Sequence, residues 1–536
     1  MINAVLFIDT ETIDESLHRL LEHSGESLQY RIGGIVVLRP PSGIRDTIKR
    51  SLWNLIAAID GLAVFSSRQF RPYLRTRALS EYNIISHKIR LSNPAITTSL
   101  ITELQPDILL WTAKDPPASA LQSTAPLGIL ALRPHAEGGR PEGPPGFTEA
   151  LRQQKSAGFS ILHWNNAHSD PRVVVSGKIP VSPFCSVNSI ALREKGFAFL
   201  QRALERIARN IEPPFRESVA AAQALSWRSA PNVTSQLSYL FTRLLPSAAR
   251  MAYDRSAGRY VQKKAQRWNV AYQFTDKWQS ADLRQSTIIK NPARHYLADP
   301  VVWSENGRHV CFVEDFDYDT MKGTITGYEL TTEGSIPLGT LLEEPFHLSF
   351  PFIFQWDGQT WMCPDTHEAG EIRLYRPNSF PTGWRYSKTI MKGITATDTM
   401  LVEHEGRWWM LTNIDTSTLD ERCSELHLFH ADRPDSERWT PHPGNPVIFN
   451  SEQARNGGLI KDGGKLYRVF QVHGFNQYGE SMGVAEITLL TPSAYEENII
   501  AAISPDLFPG CLGTHTLSCS NGVLALDILS QEKLSG

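Results

Sequence analysis

PVVWSENGRHVCFVE (300–314), FIFQWDGQTWMCPD (352–365), MLVEHEGRWWMLTN (400–413), LIKDGGKLYRVFQ (459–471) and LSCSNGVLALD (517–527) share one pattern: an apolar strand, a polar turn containing glycine, and a second apolar or aromatic strand. The turn glycines Gly307, Gly358, Gly406, Gly464 and Gly522 are separated by 51, 48, 58 and 58 residues. Five like hairpins at a period near 50 residues signal radially repeated sheets, so the spacing predicts an all-β five-bladed propeller over 268–536. WNVAYQF (268–274) precedes the first hairpin. It is expected to pair with the last blade and close the ring, which removes exposed sheet edges.

A hairpin brings residues equally far before and after its turn to the same end. Eight residues before the glycines stand Asp299, Phe350 with Ser349 beside it, Asp398, Asn456 with Arg455 beside it, and Thr514 with His515 beside it. Seven residues after the first four stand Glu314, Asp365, Asn413 and Gln471. Any one of these polar groups can be a turn cap. Their recurrence at one register is the stronger signal, because carboxylates gathered among apolar strands cost desolvation and mutual repulsion and usually persist for a ligand or for acid and base work.

The rest of the chain sets the frame. With 536 residues, 41% of them hydrophobic, it exceeds one core. The net charge of -3 gives no overall basic field, which argues against a nucleic-acid partner. No apolar run is long enough for a membrane span, and the acidic start MINAVLFIDTETIDES does not suit a signal peptide, so a cytoplasmic location is expected. The six cysteines form no CxxC pair; buried free thiols are expected, with no metal site and no cofactor. Before about residue 210, strand-like runs (AVLFID, GGIVVL, LAVFS, DILLW, GILAL) alternate with helix-like ones, predicting an α/β domain with a parallel sheet. Residues 211–267 read as a linker or packed connecting segment. Of Trp408 and Trp409, alternation on a strand predicts one core ring and one ring open to a sugar. His163 and His168 flank a polar loop and read as solvated.

YLADPVVW (296–303), HLSFPFIF (347–354), EIRLYR (371–376), ATDTMLVEHEGRWWML (396–411), ARNGGLIKDGGKLYRV (454–469) and GTHTL (513–517) resemble the propeller module at the N-terminus of plant glucosamine inositolphosphorylceramide transferases. That module in turn resembles five-bladed furanosidase propellers such as arabinanases and β-xylosidases, whose base or nucleophile Asp lies in an A-D-P sequence. Asp299 in LADP matches it. The other two furanosidase acids fall near Ser349 and Ala396. GILALRPHAEGGRPEGPPGFTEALRQQKSAGFSILHW (128–164) is similar to a formyltransferase-type segment, implying a Rossmann-like domain over 1–210. The Asn, His and Asp of active formyltransferases fall here on Ala131, Arg133 and Val173, with His135 and Asp170 nearby. Ala131 and Val173 cannot take a proton, so a catalytically degenerate domain is implied.

The reading that follows is a carbohydrate-active protein whose partner is a sugar or glycoconjugate. If it is an enzyme, Asp299 serves as base or nucleophile, Glu314 or Asp365 as proton donor, and Asp398 in hydroxyl binding or tuning; His347, Ser349, Asn413, Arg455, Asn456 and His515 bind substrate. Two alternatives stand beside it: a non-catalytic glycan-binding scaffold, and a sugar N-formyltransferase with relocated catalytic groups. The sequence does not fix the oligomeric state.

Overall fold

A computed structural model describes residues 1–39, 46–82, 84–90, 94–115, 117, 121–135, 142–165, 171–211, 230–256 and 264–533. The chain divides into two compact units, Met1–Ala252 with Thr416–Leu419, and Tyr253–Asp415 with Asp420–Gly536. No helix among the described residues is long and apolar enough to cross a membrane.

In the first unit, apolar strands build a seven-stranded sheet in the order Ile85–Arg90, Tyr30–Arg39, Ile2–Ile8, Ile108–Trp111, Ile129–His135, Ser156–Trp164, Arg172–Pro180. The first four pairings are parallel and the last two antiparallel, so the expected parallel sheet is mixed. The described part of the connection after Ile129–His135 carries a six-residue helix α4, Phe147–Arg152.

LAVFS (62–66), expected as a strand, is instead the end of helix α2, Asp46–Ser66. Ile56, Asp60, Ala63 and Val64 are buried at helical spacing, and this period outweighs the β-branched look of the short run. Asp60 takes part in the packing: its carboxylate accepts the backbone N–H groups of Cys185 at 3.0 Å and Ser186 at 2.7 Å. These open helix α5, Cys185–Ala208, whose own N-cap residue, Phe184, offers no side-chain acceptor. Gly61, next along α2, has no atom within 4 Å of where a Cβ would stand. Gly61→Ala is therefore expected to stabilise the protein by about 0.5–1 kcal/mol, read from urea denaturation.

Within 211–267, residues 230–256 are helical: α6 (Val233–Tyr239), capped by Asn232, continues through a π-turn into α7 (Leu245–Ser256). Tyr239 is fully buried against Trp53 and Phe147 and donates its hydroxyl to Asp60. Residues 230–252 of this part belong to the first unit; 212–229 and 257–263 lie outside the described residues.

The second unit is a five-bladed β-propeller, with each of the five glycines in the hairpin between a blade's first and second strands. The turn pairs Asn306-Gly307, Asp357-Gly358, Glu405-Gly406, Gly463-Gly464 and Asn521-Gly522 all have positive φ at both residues, as a tight type I′ hairpin requires. The last sheet contains Lys264–Phe274 beside Val523–Lys533, with Trp268 opposite Leu529, so the N-terminal strand closes the ring. Both Trp408 (8% exposed) and Trp409 (1%) are buried, which corrects the expectation of one open ring. The cysteines are free, with Cys185, Cys311 and Cys363 buried.

Candidate functional site at the propeller mouth

The equal-distance register is met with one systematic change. In the first four hairpins the pairing shifts by one residue at the same depth: between Ala298 and Val301, Ser349 and Phe352, Thr397 and Met400, and Asn456 and Gly458. Each shift is a β-bulge, a device that re-aims a side chain. In blades 1 to 3 a non-glycine residue at the bulge takes positive φ: Asp299 at 50°, Phe350 at 41° and Asp398 at 49°. Such backbone costs about 1–3 kcal/mol per residue and concentrates at functional sites.

A cavity of about 230 Å³ lies at this end. Of the residues chosen from sequence, Asp299, Glu314, His347, Ser349, Asp365, Arg455 and His515 line it. Asp398, Asn413 and Asn456 do not; all three are buried. Asn413 donates to the carbonyls of Glu425 and Ala454 at 2.9 Å, and Asn456 donates to the Asp398 carbonyl at 2.9 Å and the Leu411 carbonyl at 3.2 Å. The Asn413 amide thus reaches Ala454, just before blade 4, and the Asn456 amide of blade 4 reaches back to the Asp398 bulge of blade 3. Sequence reasoning missed Trp268, Tyr296, His367, Thr397, Arg422 and Tyr478, which also line it. Tyr296 and Thr397 lie within three residues of the bulged aspartates, a signal that could have found them. Arg422 and Tyr478 come from outside the repeated hairpins.

The acids differ sharply in surroundings. Glu314 is 5% exposed, accepts the Tyr296 hydroxyl at 3.1 Å and lies 3.5 Å from His347 Nε2. Burial, reinforced by the nearby Asp299 charge, pushes its carboxyl well above the usual range. His347 accepts the Gly323 N–H at Nδ1, which puts the proton of the neutral ring on Nε2, toward Glu314; burial holds its pKa down. Burial works against the Asp365 charge, but His367, through its backbone and ring N–H groups at 2.8 and 2.9 Å, and the Thr397 hydroxyl outweigh it and lower the pKa. Asp398 is gripped by Arg455, with Nε–Oδ2 at 2.6 Å, and by Gln471 at 3.1 Å. Asp299 accepts the Phe350 N–H at 3.2 Å and lies 2.9 Å from His515 Nε2.

Asp299, His515 and Asp527 offer atoms within 4.8 Å of one another, compact enough to hold a metal ion. Both ring nitrogens of His515 already face carboxylates, Nε2 toward Asp299 and Nδ1 toward Asp527, each at 2.9 Å. Burial opposes a charge on this ring, but the two aspartates prevail and push it up to about 10. With a carboxylate 2.9 Å from each ring nitrogen, a protonated His515 ring has no lone pair to give a metal. On the formyltransferase-type segment, Ala131 and Val173 are buried, and Arg133 donates to the carbonyls of Ala113, Lys114 and Asp115. The His135 side chain, Asp170 and His168 lie outside the described residues, and His163 is buried with Nε2 2.8 Å from the Leu127 carbonyl, not solvated.

Among solved structures, the chain is similar to a family 117 glycoside hydrolase of Zobellia galactanivorans, at 10% identity and TM-score 0.33 over 50% of this chain and 91% of that one. It is also similar to the GH62 α-L-arabinofuranosidase domain of Coprinopsis cinerea, at 11% identity and TM-score 0.35 over 50% and 97%. At these scores the likenesses carry no weight, and the five-bladed architecture rests on the sheets themselves. Glucosamine inositolphosphorylceramide transferase 1 of Arabidopsis thaliana is 35% identical over 210 residues, 38% of this chain and 27% of the relative. The rice protein of that name (Oryza sativa subsp. japonica) is 31% identical over 208 residues, 38% and 28%. The chain thus spans just over a quarter of the length of these curated relatives. Residues 263–504, which hold the first four blades, match the family described as glucosamine inositolphosphorylceramide transferase 1, N-terminal.

Proposed function

We propose that the propeller mouth processes a glycoside or glycoconjugate, with Glu314 as proton donor and Asp299 as the carboxylate that acts as base or nucleophile. The observation that carries this reading is the contrast between two carboxylates of one cavity: burial raises the Glu314 pKa and favours its protonated form, while Asp299 faces a cationic imidazole and a backbone N–H. Carboxyl groups in unlike surroundings divide acid and base roles. Asp398, already paired with Arg455, serves to hold that guanidinium at the wall. The similarity to glycosylating relatives supports a carbohydrate substrate.

One observation favours a binding role instead: Asp299, Asp365 and Asp398 each have a histidine or arginine partner, as the acids of a purely structural or lectin-like mouth would. For the first unit we propose a formyltransferase-like scaffold without formyl transfer. The sheet order, with its single reversed strand Ser156–Trp164, supports the scaffold, and the occupied Arg133 supports the loss of activity. Incubating the purified chain with glycosides and nucleotide sugars, with mass spectrometry of the products, tests the main reading. Conversion by the wild type and none by Asp299→Asn is expected. Binding without conversion by either would favour the lectin-like mouth.

A further inference from the structure

Asp527 was outside the sequence register, yet it is the most heavily coordinated acid at the mouth. It is fully buried and accepts the backbone N–H groups of His515 at 2.9 Å and Thr516 at 3.1 Å, the Thr516 hydroxyl at 2.5 Å, and the N–H of Asp299 at 3.3 Å. Nδ1 of His515 lies 2.9 Å from the same carboxylate. His515 is 2% exposed, and its ring is walled by Trp268, with centroids 4.1 Å apart, and by Tyr478 at 5.3 Å. Its remaining nitrogen therefore has one direction left, toward Asp299 in its left-handed bulge.

We propose that Asp527 and His515 form a positioning pair for Asp299, in which Asp527 orients the imidazole and the imidazole presents its other ring nitrogen to the carboxylate that faces the cavity. The functional side of this inference rests on Asp299 being the reacting carboxylate. The geometry explains how a strained bulge holds one orientation: the Asp299 backbone N–H and side chain are tied to the same two residues, so the pair fixes the strained φ and the side-chain direction together. The titratable and charged groups around His515 are the two aspartates, Glu314, whose charge burial disfavours, the neutral His473 (held down to about 3 by burial, Arg455 and His515), and Arg455 across the Tyr478 ring. Among the charged groups of the described residues, the two aspartates lie within 2.9 Å of it.

The test is histidine Cε1–H NMR of the full chain with 13C-labelled histidine, titrated from pH 5 to 10.5. The resonance missing from His515→Gln is expected to keep an imidazolium shift through neutral pH and titrate near 10. In Asp527→Asn its midpoint is expected to fall by about one to three units, the usual effect of losing an adjacent opposite charge. Asp299→Asn should lower it as well, and it decides the matter if Asp527→Asn does not fold. A wild-type midpoint at the ordinary histidine value, an unmoved midpoint in the variants, or a shift of the resonance on adding zinc at pH 7 would each overturn the pair. For a glycoside the mouth converts, His515→Gln is expected to lower kcat by up to about 100-fold with KM little changed, as misplacement of a reacting group does. A KM effect alone would overturn the positioning role. The resonance behaving as stated while no sugar is converted would leave the pair standing and sink the catalytic reading.

Discussion

Glu314→Gln is expected to cut the rate of glycoside conversion by about 10²- to 10⁴-fold, the usual contribution of a positioned general acid, while leaving the propeller folded. Glutamine has the shape of a protonated glutamate, can still accept the Tyr296 hydroxyl, and cannot give up a proton to a leaving group. Because burial and the Asp299 charge raise its pKa and favour the neutral form, little folding energy depends on its charge. The sign of the pH effect follows. A carboxyl with a raised folded-state pKa contributes its stability below the ordinary glutamate value and loses it as pH rises through the raised one. The variant should therefore gain stability relative to the wild type as pH climbs through that window. Calorimetric melting of both proteins from pH 4 to 9 checks this. A variant that melts far below the wild type at pH 7 would mean that Glu314 is ionised, and unchanged turnover would remove it as the donor.

Arg468→Met should lower stability by roughly 3–5 kcal/mol, the cost of leaving a buried charge without its partner. Arg468 is fully buried in the second strand of blade 4. Its guanidinium meets Glu497 at 2.6 and 2.8 Å and donates to the Gln453 carbonyl at 2.9 Å. Glu497 also receives Tyr495 and Gln453, so the network is nearly saturated until the cation is removed. At about 2–4 °C per kcal/mol for a domain of this size, the melting point should drop by about 10 °C. Replacing both partners, Arg468→Met with Glu497→Met, should cost far less than the single change, because no charge is then stranded. Burial works against the Glu497 charge, but Arg468 holds its pKa below the usual range. This stabilisation is present above the ordinary glutamate value and fades as pH falls through the lowered one, so the wild type and the double variant should converge in acid. A single variant as stable as the double one would disprove the account.

What the sequence by itself determined was the repeat. Turn glycines flanked by polar residues, strands of alternating aromatic character and a matching first strand specify five hairpins and a closed ring, because a two-residue turn and a period-2 strand are local properties. The same local logic brought Asp299, Glu314, Asp365 and, beside the register, Arg455 and His515 to one cavity. Local logic failed where a short apolar run could serve two structures: LAVFS joined α2 because its buried positions match those of the helix before it. Only the tertiary structure decided which polar residues face the cavity. The bulges slide each strand by one residue, sending Asn413 and Asn456 to bond neighbouring blades and pairing Asp398 with Arg455. Tertiary structure also recruited Tyr478, Arg422 and Asp527, whose roles depend on which blades become neighbours when the ring closes. Ring closure joins residues more than two hundred positions apart, as Asp299 and Asp527 are, and neither a turn nor a strand period carries that information.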